Sequence, residues 1–192
     1  MSLQPVPGRN FTETAEHHYI EFLKSLGIWD KMEDEPRLRT PARVVEAYLE
    51  FFGNKLTPIN FTTFPIPQGE CPRFVAVCNI TFASLCAHHH LPFTGVCHVG
   101  YLPGDRVAGL SKIPRVVEHL THGAMIQEDV TEGVADYLEE NLDPVGVIVV
   151  MDAEHTCMSL RGVRKPGHRA RTMAMRGTLP HDYLQAFWNQ VR

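Results

Sequence analysis

Two short groups of ligand-type residues, Cys86-Ala87-His88-His89-His90 and His155-Thr156-Cys157, lie far apart in the chain. If both serve one site, the intervening segment must leave a point and return to it, which excludes a fold built only from local contacts. Cys86 and His89 are three positions apart, a spacing at which two side chains converge on one ion while the neighbouring histidines point elsewhere. If the second group is still extended, His155, Cys157, Ser159 and Arg161 share one strand face, with Met158 and Leu160 pointing inward on the other. Mixed sulfur and nitrogen donors suit Zn²⁺, which prefers tetrahedral thiolate and imidazole coordination. Two arrangements fit the spacing equally. A closed site from Cys86, His89, His155 and Cys157 is structural, whereas an open site using three of them keeps a water whose pKa the metal lowers. A metal-free cluster is the remaining alternative.

Composition supports ligand chemistry over disulfides. The chain has five cysteines, an odd count, and eleven histidines, a high number for 192 residues. Cys71, Cys78 and Cys97 have no comparable neighbours and read as small buried thiols. The apolar run over 145–151 is far shorter than the roughly 20 residues a membrane helix needs. The opening MSLQPVPGRNF lacks the basic-then-apolar pattern of a signal peptide, so a cytoplasmic location is expected. A net charge of −4 argues against non-specific nucleic-acid binding. The basic residues are nonetheless clustered, at Arg161, Arg164, Lys165, Arg169, Arg171 and Arg176, while the stretch over 128–143 is acidic.

The length suits one domain with a sizeable core and a small appendage. After a loose arm containing Pro5, Pro7 and Gly8, Asn10 and Glu13 stand at capping-box spacing. Tyr19, Phe22, Leu23 and Leu26 recur at helical spacing until Gly27. Thr40 as N-cap and Pro41 at the first helical position open a second helix, which carries Val44, Val45, Tyr48 and Phe51 and stops at Gly53. The Pro- and Thr-rich stretch over 55–72 reads as a connection. Strands are expected over 74–83 and 94–102, helices over 111–120 and 124–141, strands over 145–158 and 171–179, and a last helix over 180–191. Helices followed by β-β-α-α-β-β give an α+β class, with antiparallel strands and helices on one face.

Ser111 as N-cap and Pro114 in the first turn mark a helix start. Lys112 and Arg115 then project from one side near the positive end of the helix dipole, an arrangement suited to phosphate groups. Taken alone, a solvated basic helix end is the favoured reading of these two cations. Arg161, on the expected face of Cys157, adds a third cation near the metal. Gln127-Glu128 opens the next helix. A carboxylate there can accept from the N1–H and exocyclic amine of guanine, with the amide completing the contact, although an acid in a first helical turn is favourable in any case.

In order, Cys86-x-His88-His89, Gly109-Leu110-Ser111-Lys112-Ile113-x-Arg115, Gln127-Glu128 and His155-x-Cys157 with Arg161-Gly162 resemble the GTP cyclohydrolase I family, as does the helix start Thr40-Pro41-x-Arg43. The resemblance implies a tunnelling fold, in which an arm and helical segment over 1–54 precede a catalytic domain over 55–192, and subunits assemble a barrel and stack as a homodecamer. It implies an open zinc site held by Cys86, His89 and Cys157, with His88 and His155 as acid–base residues. Ser111, Lys112, Arg115 and Arg161 would contact the triphosphate or ribose, with Arg43 reaching in from a neighbouring subunit, and Gln127 and Glu128 would read guanine. The implied reaction is hydrolysis of GTP at C8 of the purine, loss of that carbon as formate, and closure to 7,8-dihydroneopterin triphosphate. The implied partners are GTP and further copies of the chain, without nucleic acid or membrane.

The sequence departs from the family at several points. Ala87 stands where Glu is usual, Asp129 where Arg is usual, and Arg171-Thr172-Met173-Ala174-Met175-Arg176 replaces a Ser/Thr-rich strand. A paralogue acting on another guanine nucleotide, or a non-catalytic zinc-stabilised nucleotide-binding protein, is the alternative reading. A nucleoside deaminase would need His-x-Glu and Pro-Cys-x-x-Cys, and neither occurs.

Overall fold

Asn10 and Glu13 cap each other across the first turn of helix α1 (Phe11–Ser25): the Asn10 side chain accepts from the Glu13 N–H at 2.9 Å, and Glu13 accepts from the Asn10 N–H at 3.1 Å. In the computed structural model residues 10–52, 59–67 and 73–191 are described. They belong to two compact units, Met1–Lys55 and Leu56–Arg192. The N-terminal arm, Gly53 and Cys71 lie outside the described residues.

In the first unit, Gly27 turns the chain at φ +64°, where a side chain would be strained. A 3₁₀ turn, Trp29–Lys31, leads into α2 (Asp34–Phe52). This helix starts six residues before the expected Thr40 cap, and Pro41 lies inside it. Two start signals compete here, and the earlier wins. Asp34 and Glu35 place acids in the first turn, and Arg37 and Arg39 pair with them at 3.8 and 3.4 Å. Val45 and Leu23 are buried between α1 and α2, while Phe11, Tyr19, Phe22, Tyr48 and Phe52 line an apolar groove of about 690 Å³.

The second unit is built on β2 (Val75–Cys86), β3 (Pro92–Leu102), β6 (Gly146–His155) and β7 (Ala170–Gly177), successively antiparallel. The stretch read as a connection contains a short strand, β1 (Thr63–Pro65), which pairs with β4 (Arg106–Ala108). Ala124 does not start a helix. Ala124–Met125 forms β5, parallel to the end of β2, so the five-stranded order is β5-β2-β3-β6-β7.

Strand β6 is apolar on both faces, as a strand covered on both sides must be. Val147, Val149 and Met151 join one core with Ile113, Val116 and Val117 of α3 (Lys112–Leu120) and Val130, Val134 and Leu138 of α4 (Gln127–Leu142). Ile148 and Val150 face the other way, against Phe187 of α6 (His181–Gln190) and Val191. Helices therefore cover both faces, not one. The terminal helix approaches so closely that a Cβ on Gly100 would lie 2.7 Å from the Phe187 ring. Burying a residue such as Phe187 contributes about 1.5–3 kcal/mol, which explains why the short helix docks there.

Candidate functional site

The sheet brings the two ligand groups together at one end. Cys86 ends β2, and the chain turns immediately: the Cys86 carbonyl accepts from the His89 N–H at 3.2 Å and the His90 N–H at 2.8 Å, with His90 at φ +51°. Phe93, at the start of β3, pairs in register with His155 at the end of β6. The expected strand over 145–158 stops there. Residues Thr156–Ser159 instead form one helical turn, α5, which the Thr156 hydroxyl fastens by donating to the Pro92 carbonyl at 2.6 Å. Consequently Arg161 does not share a strand face with Cys157, and Met158 and Leu160 are exposed rather than inward.

This turn carries Cys157 to the first group. The ligand atoms of Cys86, His89 and Cys157 all lie within 4.8 Å of one another. Cys86 Sγ is 3.8 Å from Nδ1 of both His88 and His89. Donors at about 2.0–2.3 Å from a tetrahedral zinc stand roughly 3.3–3.8 Å apart, so small side-chain adjustments would complete such a shell. The donor chemistry fits as well. Burial raises the Cys157 thiol pKa, the adjacent Cys86 raises it further, and Arg161 opposes this only in part. A cation beside Cys157 would favour the thiolate that burial disfavours.

His155 is not within that trio. Its ring stacks on Phe93 at 4.5 Å between centroids and 4° between planes, and its Nε2 bonds to Gln127 Oε1 at 2.8 Å. Burial holds its pKa below the usual histidine value, the Glu128 carboxylate partly restores it, and His168 lowers it again. His88 is exposed beside the ligand group.

Strand β5 positions the start of α4. The Ala87 N–H donates to the Met125 carbonyl at 3.0 Å and the Leu85 N–H to Gly123 at 3.1 Å, which sets Gln127 and Glu128 next to the Cys86 turn. Gln127 is 2% exposed, whereas Glu128 faces solvent. The Gln127 amide is engaged inside the protein, with Nε2 donating to Ala170 O and Thr172 Oγ1, each at 3.0 Å. At the start of α3, Ser111 occupies the N-cap position but makes no side-chain cap bond. Ser111 and Arg115 are exposed and Lys112 half-buried. Arg161 is exposed after α5, and Arg43 is an exposed residue of α2 in the first unit. Of the other thiols, Cys97 is fully buried, with its pKa pushed up to about 12 by burial, and Cys78 is half-buried.

Sequence reasoning passed over Phe93, Thr131 and Thr172. Thr131 had a readable signal, since it stands four residues after Gln127 and so on the same helix face. Phe93 and Thr172 are placed by strand register alone, which no local pattern encodes.

Among known proteins, the family described as GTP cyclohydrolase I matches residues 15–189. A relative named GTP cyclohydrolase 1 from Listeria monocytogenes serotype 4b (strain CLIP80459) is 45% identical over 158 residues, covering 81% of this chain and 82% of its own length. Another of that name, from Bacillus pumilus (strain SAFR-032), is 41% identical over 173 residues, covering 88% and 89%. Among solved structures, the apo form of an archaeosine synthase QueF-Like protein aligns over 58% of this chain and 100% of its own, at 15% identity and a TM-score of 0.46.

Proposed function

Because the chain belongs to the GTP cyclohydrolase I family and is an enzyme of that kind, we propose that it hydrolyses GTP at C8 of guanine. Formate leaves and 7,8-dihydroneopterin triphosphate is the product. The observation that carries this reading is the convergence of Cys86, His89 and Cys157 beside a separately held histidine, His155. Cys86, His89 and Cys157 hold zinc, which when bound supplies Lewis acidity and hydroxide near neutral pH.

The protein's own residues do the rest. His88 and His155 carry protons to and from the purine ring, a task suited to imidazoles because it runs both ways near neutrality. His155 is the better organised of the two, since Phe93 and Gln127 hold its ring in place. Lys112, Arg115 and Arg161, with Ser111, bind triphosphate or ribose at the N-terminal end of α3, where dipole and cations add. Glu128 accepts from the guanine N1–H and amine, while Gln127 acts from behind His155. Arg43 contributes from a neighbouring subunit, and residues 1–54 and 55–192 work as one functional unit.

Assembly follows the tunnelling-fold plan, with subunits forming a barrel within a homodecamer. Two sheet edges support this: among the described residues, β7 pairs only with β6, and β2 pairs on its outer side only at Leu85 and Cys86. Edges left open in this way are ready to pair with another copy. Ala87 leaves room for variation in the nucleotide, and the cytoplasm is the expected compartment.

The deciding experiment is a zinc-supplemented assay across GTP, dGTP and other nucleoside triphosphates, reading formate and, after oxidation, pterin fluorescence. Turnover of GTP with one formate per pterin is expected. Zinc-replete protein that turns over no guanine nucleotide would refute the reading.

A further inference from the structure

We infer that Gln127 is a positioning residue, which fixes His155 as the tautomer carrying its proton on Nε2 and so leaves Nδ1 as the nitrogen that exchanges protons with substrate. The inference rests on the proposed acid–base role of His155.

The orientation of the Gln127 amide is settled by what surrounds it. One end of the amide lies 3.0 Å from the Ala170 carbonyl, 3.0 Å from Thr172 Oγ1 and 3.4 Å from the Met151 carbonyl. Carbonyl oxygens only accept, so that end is the NH₂. Oε1 is then the atom facing His155 Nε2 at 2.8 Å. Because Oε1 also only accepts, the histidine donates, and its hydrogen sits on Nε2.

Two hydroxyls extend the same direction. Thr131 Oγ1 donates to the Gln127 carbonyl at 2.8 Å, and Thr172 Oγ1 lies 2.6 Å from Thr131 Oγ1. One pattern satisfies every group: Gln127 NH₂ to Thr172, Thr172 to Thr131, and Thr131 back to the Gln127 main chain. Turning the amide over would set its oxygen against the carbonyls of Met151 and Ala170, neither of which can donate. Gln127 is 2% exposed and Thr131 1%, so water cannot compensate for such a reversal. Phe93 fixes the plane of the ring. Among the described residues, Nδ1 meets no hydrogen-bonding partner, and it is the nitrogen left for chemistry.

This also separates Gln127 from base recognition. Both of its N–H bonds are taken within the protein, so it acts through His155, and Glu128 alone of the pair faces outward.

The test uses full-length, zinc-loaded protein labelled with ¹⁵N-histidine, with His155 assigned from the spectrum of His155→Asn. Long-range ¹H–¹⁵N correlation should show a protonated Nε2 and a bare Nδ1; a neutral ring with its proton on Nδ1 would overturn the inference. Gln127→Leu should mix the tautomers, lower kcat for GTP on the order of 10²-fold, leave KM within about threefold, and keep the preference for GTP over ITP. A raised KM with loss of that preference and an unchanged tautomer would mean that Gln127 reads the base, which also overturns it. Should Gln127→Leu fail to fold, Thr172→Val and Thr172→Ser carry the test: Val should loosen the tautomer and lower kcat, and Ser should restore both. Equal behaviour of Val and Ser would count against the inference. His155→Ala with normal turnover would instead remove the acid–base role itself, while the tautomer in the unmodified chain would stand.

Discussion

The two turns that bring Cys86, His89 and Cys157 together are held in different ways. The turn over 86–90 is fixed by its own backbone: Cys86 N–H donates to Leu91 O at 2.9 Å, and Cys86 O accepts from both His89 and His90. The turn carrying Cys157 closes with one main-chain bond, Leu160 N–H to Thr156 O at 3.0 Å, and leans besides on side chains: the Thr156 hydroxyl on Pro92, the Phe93 ring beneath His155, and Gln127 behind it. A turn made by its main chain keeps its shape when side chains change. A turn held by side chains loses shape and chemistry together. The first can therefore present exposed histidines, while the second must bury its own in part.

Substituting a ligand in either turn should erase this difference. Cys86→Ala and Cys157→Ala are both expected to lose bound zinc, read by metal analysis, and turnover on the order of 10³-fold. Stoichiometric zinc in either variant would mean a different ligand set.

Exchanging the histidines should expose the difference. His88→Ala and His155→Ala should each keep zinc and lose activity by about 10²–10⁴-fold. In thermal melts His155→Ala should lose more stability than His88→Ala, by about 1–2 kcal/mol, because His155 stacks on Phe93 and bonds to buried Gln127, whereas exposed His88 meets only the His89 ring edge-on and Cys86 Sγ at 3.8 Å. Equal melting losses would break the comparison. Zinc loss on removing His155 would indicate a closed, four-ligand site.

A smaller effect is expected further along β6. Asp152 accepts from Arg171 at 2.6 and 2.9 Å and from Arg169. Burial pushes its pKa up, but hydrogen bonds from Arg169 and Arg171 outweigh this and hold it below the usual carboxylate value. Its folded pKa thus lies under its unfolded value of about 3.9, so its contribution is full above that pH and fades as pH falls through the folded value. Asp152→Asn should cost about 2 kcal/mol at pH 7 in denaturant unfolding. The gap from the unmodified protein should close under acid conditions, and a gap that does not vary with pH would assign the effect to packing.

Asn10→Ala, remote in sequence from both turns, should cost about 1 kcal/mol by loss of the α1 cap, seen as reduced stability of the helical unit. No change would mean that the reciprocal bonds at Asn10 and Glu13 are replaced by water.

Much of this was legible in the sequence. The capping box at Asn10 and Glu13, the apolar run that became β6, and the start of α3 each carry their own local signal. The turn α5 carried none, because its helical geometry depends on a hydroxyl reaching Pro92 from a distant strand. Strand β5 is two residues long and exists only through its bonds to β2, so no period in the sequence announces it. The site followed the same rule. That Cys86, His89 and Cys157 meet could be read from spacing and resemblance, whereas the engagement of Gln127 with His155, Thr172 and Thr131 depends on three separate elements.

Phe93 belongs to two neighbourhoods at once. It is wholly buried, meets Phe82 edge-on at 5.9 Å on one side, and lies flat against His155 on the other. The interior packing and the proposed reacting surface thus share a single wall, one ring thick. Any exchange that resculpts the interior there also re-aims a histidine, so a change such as Phe93→Leu would be felt first as a slower enzyme rather than as a softer protein. At this position the freedom to drift is set by the chemistry on the far side of the wall.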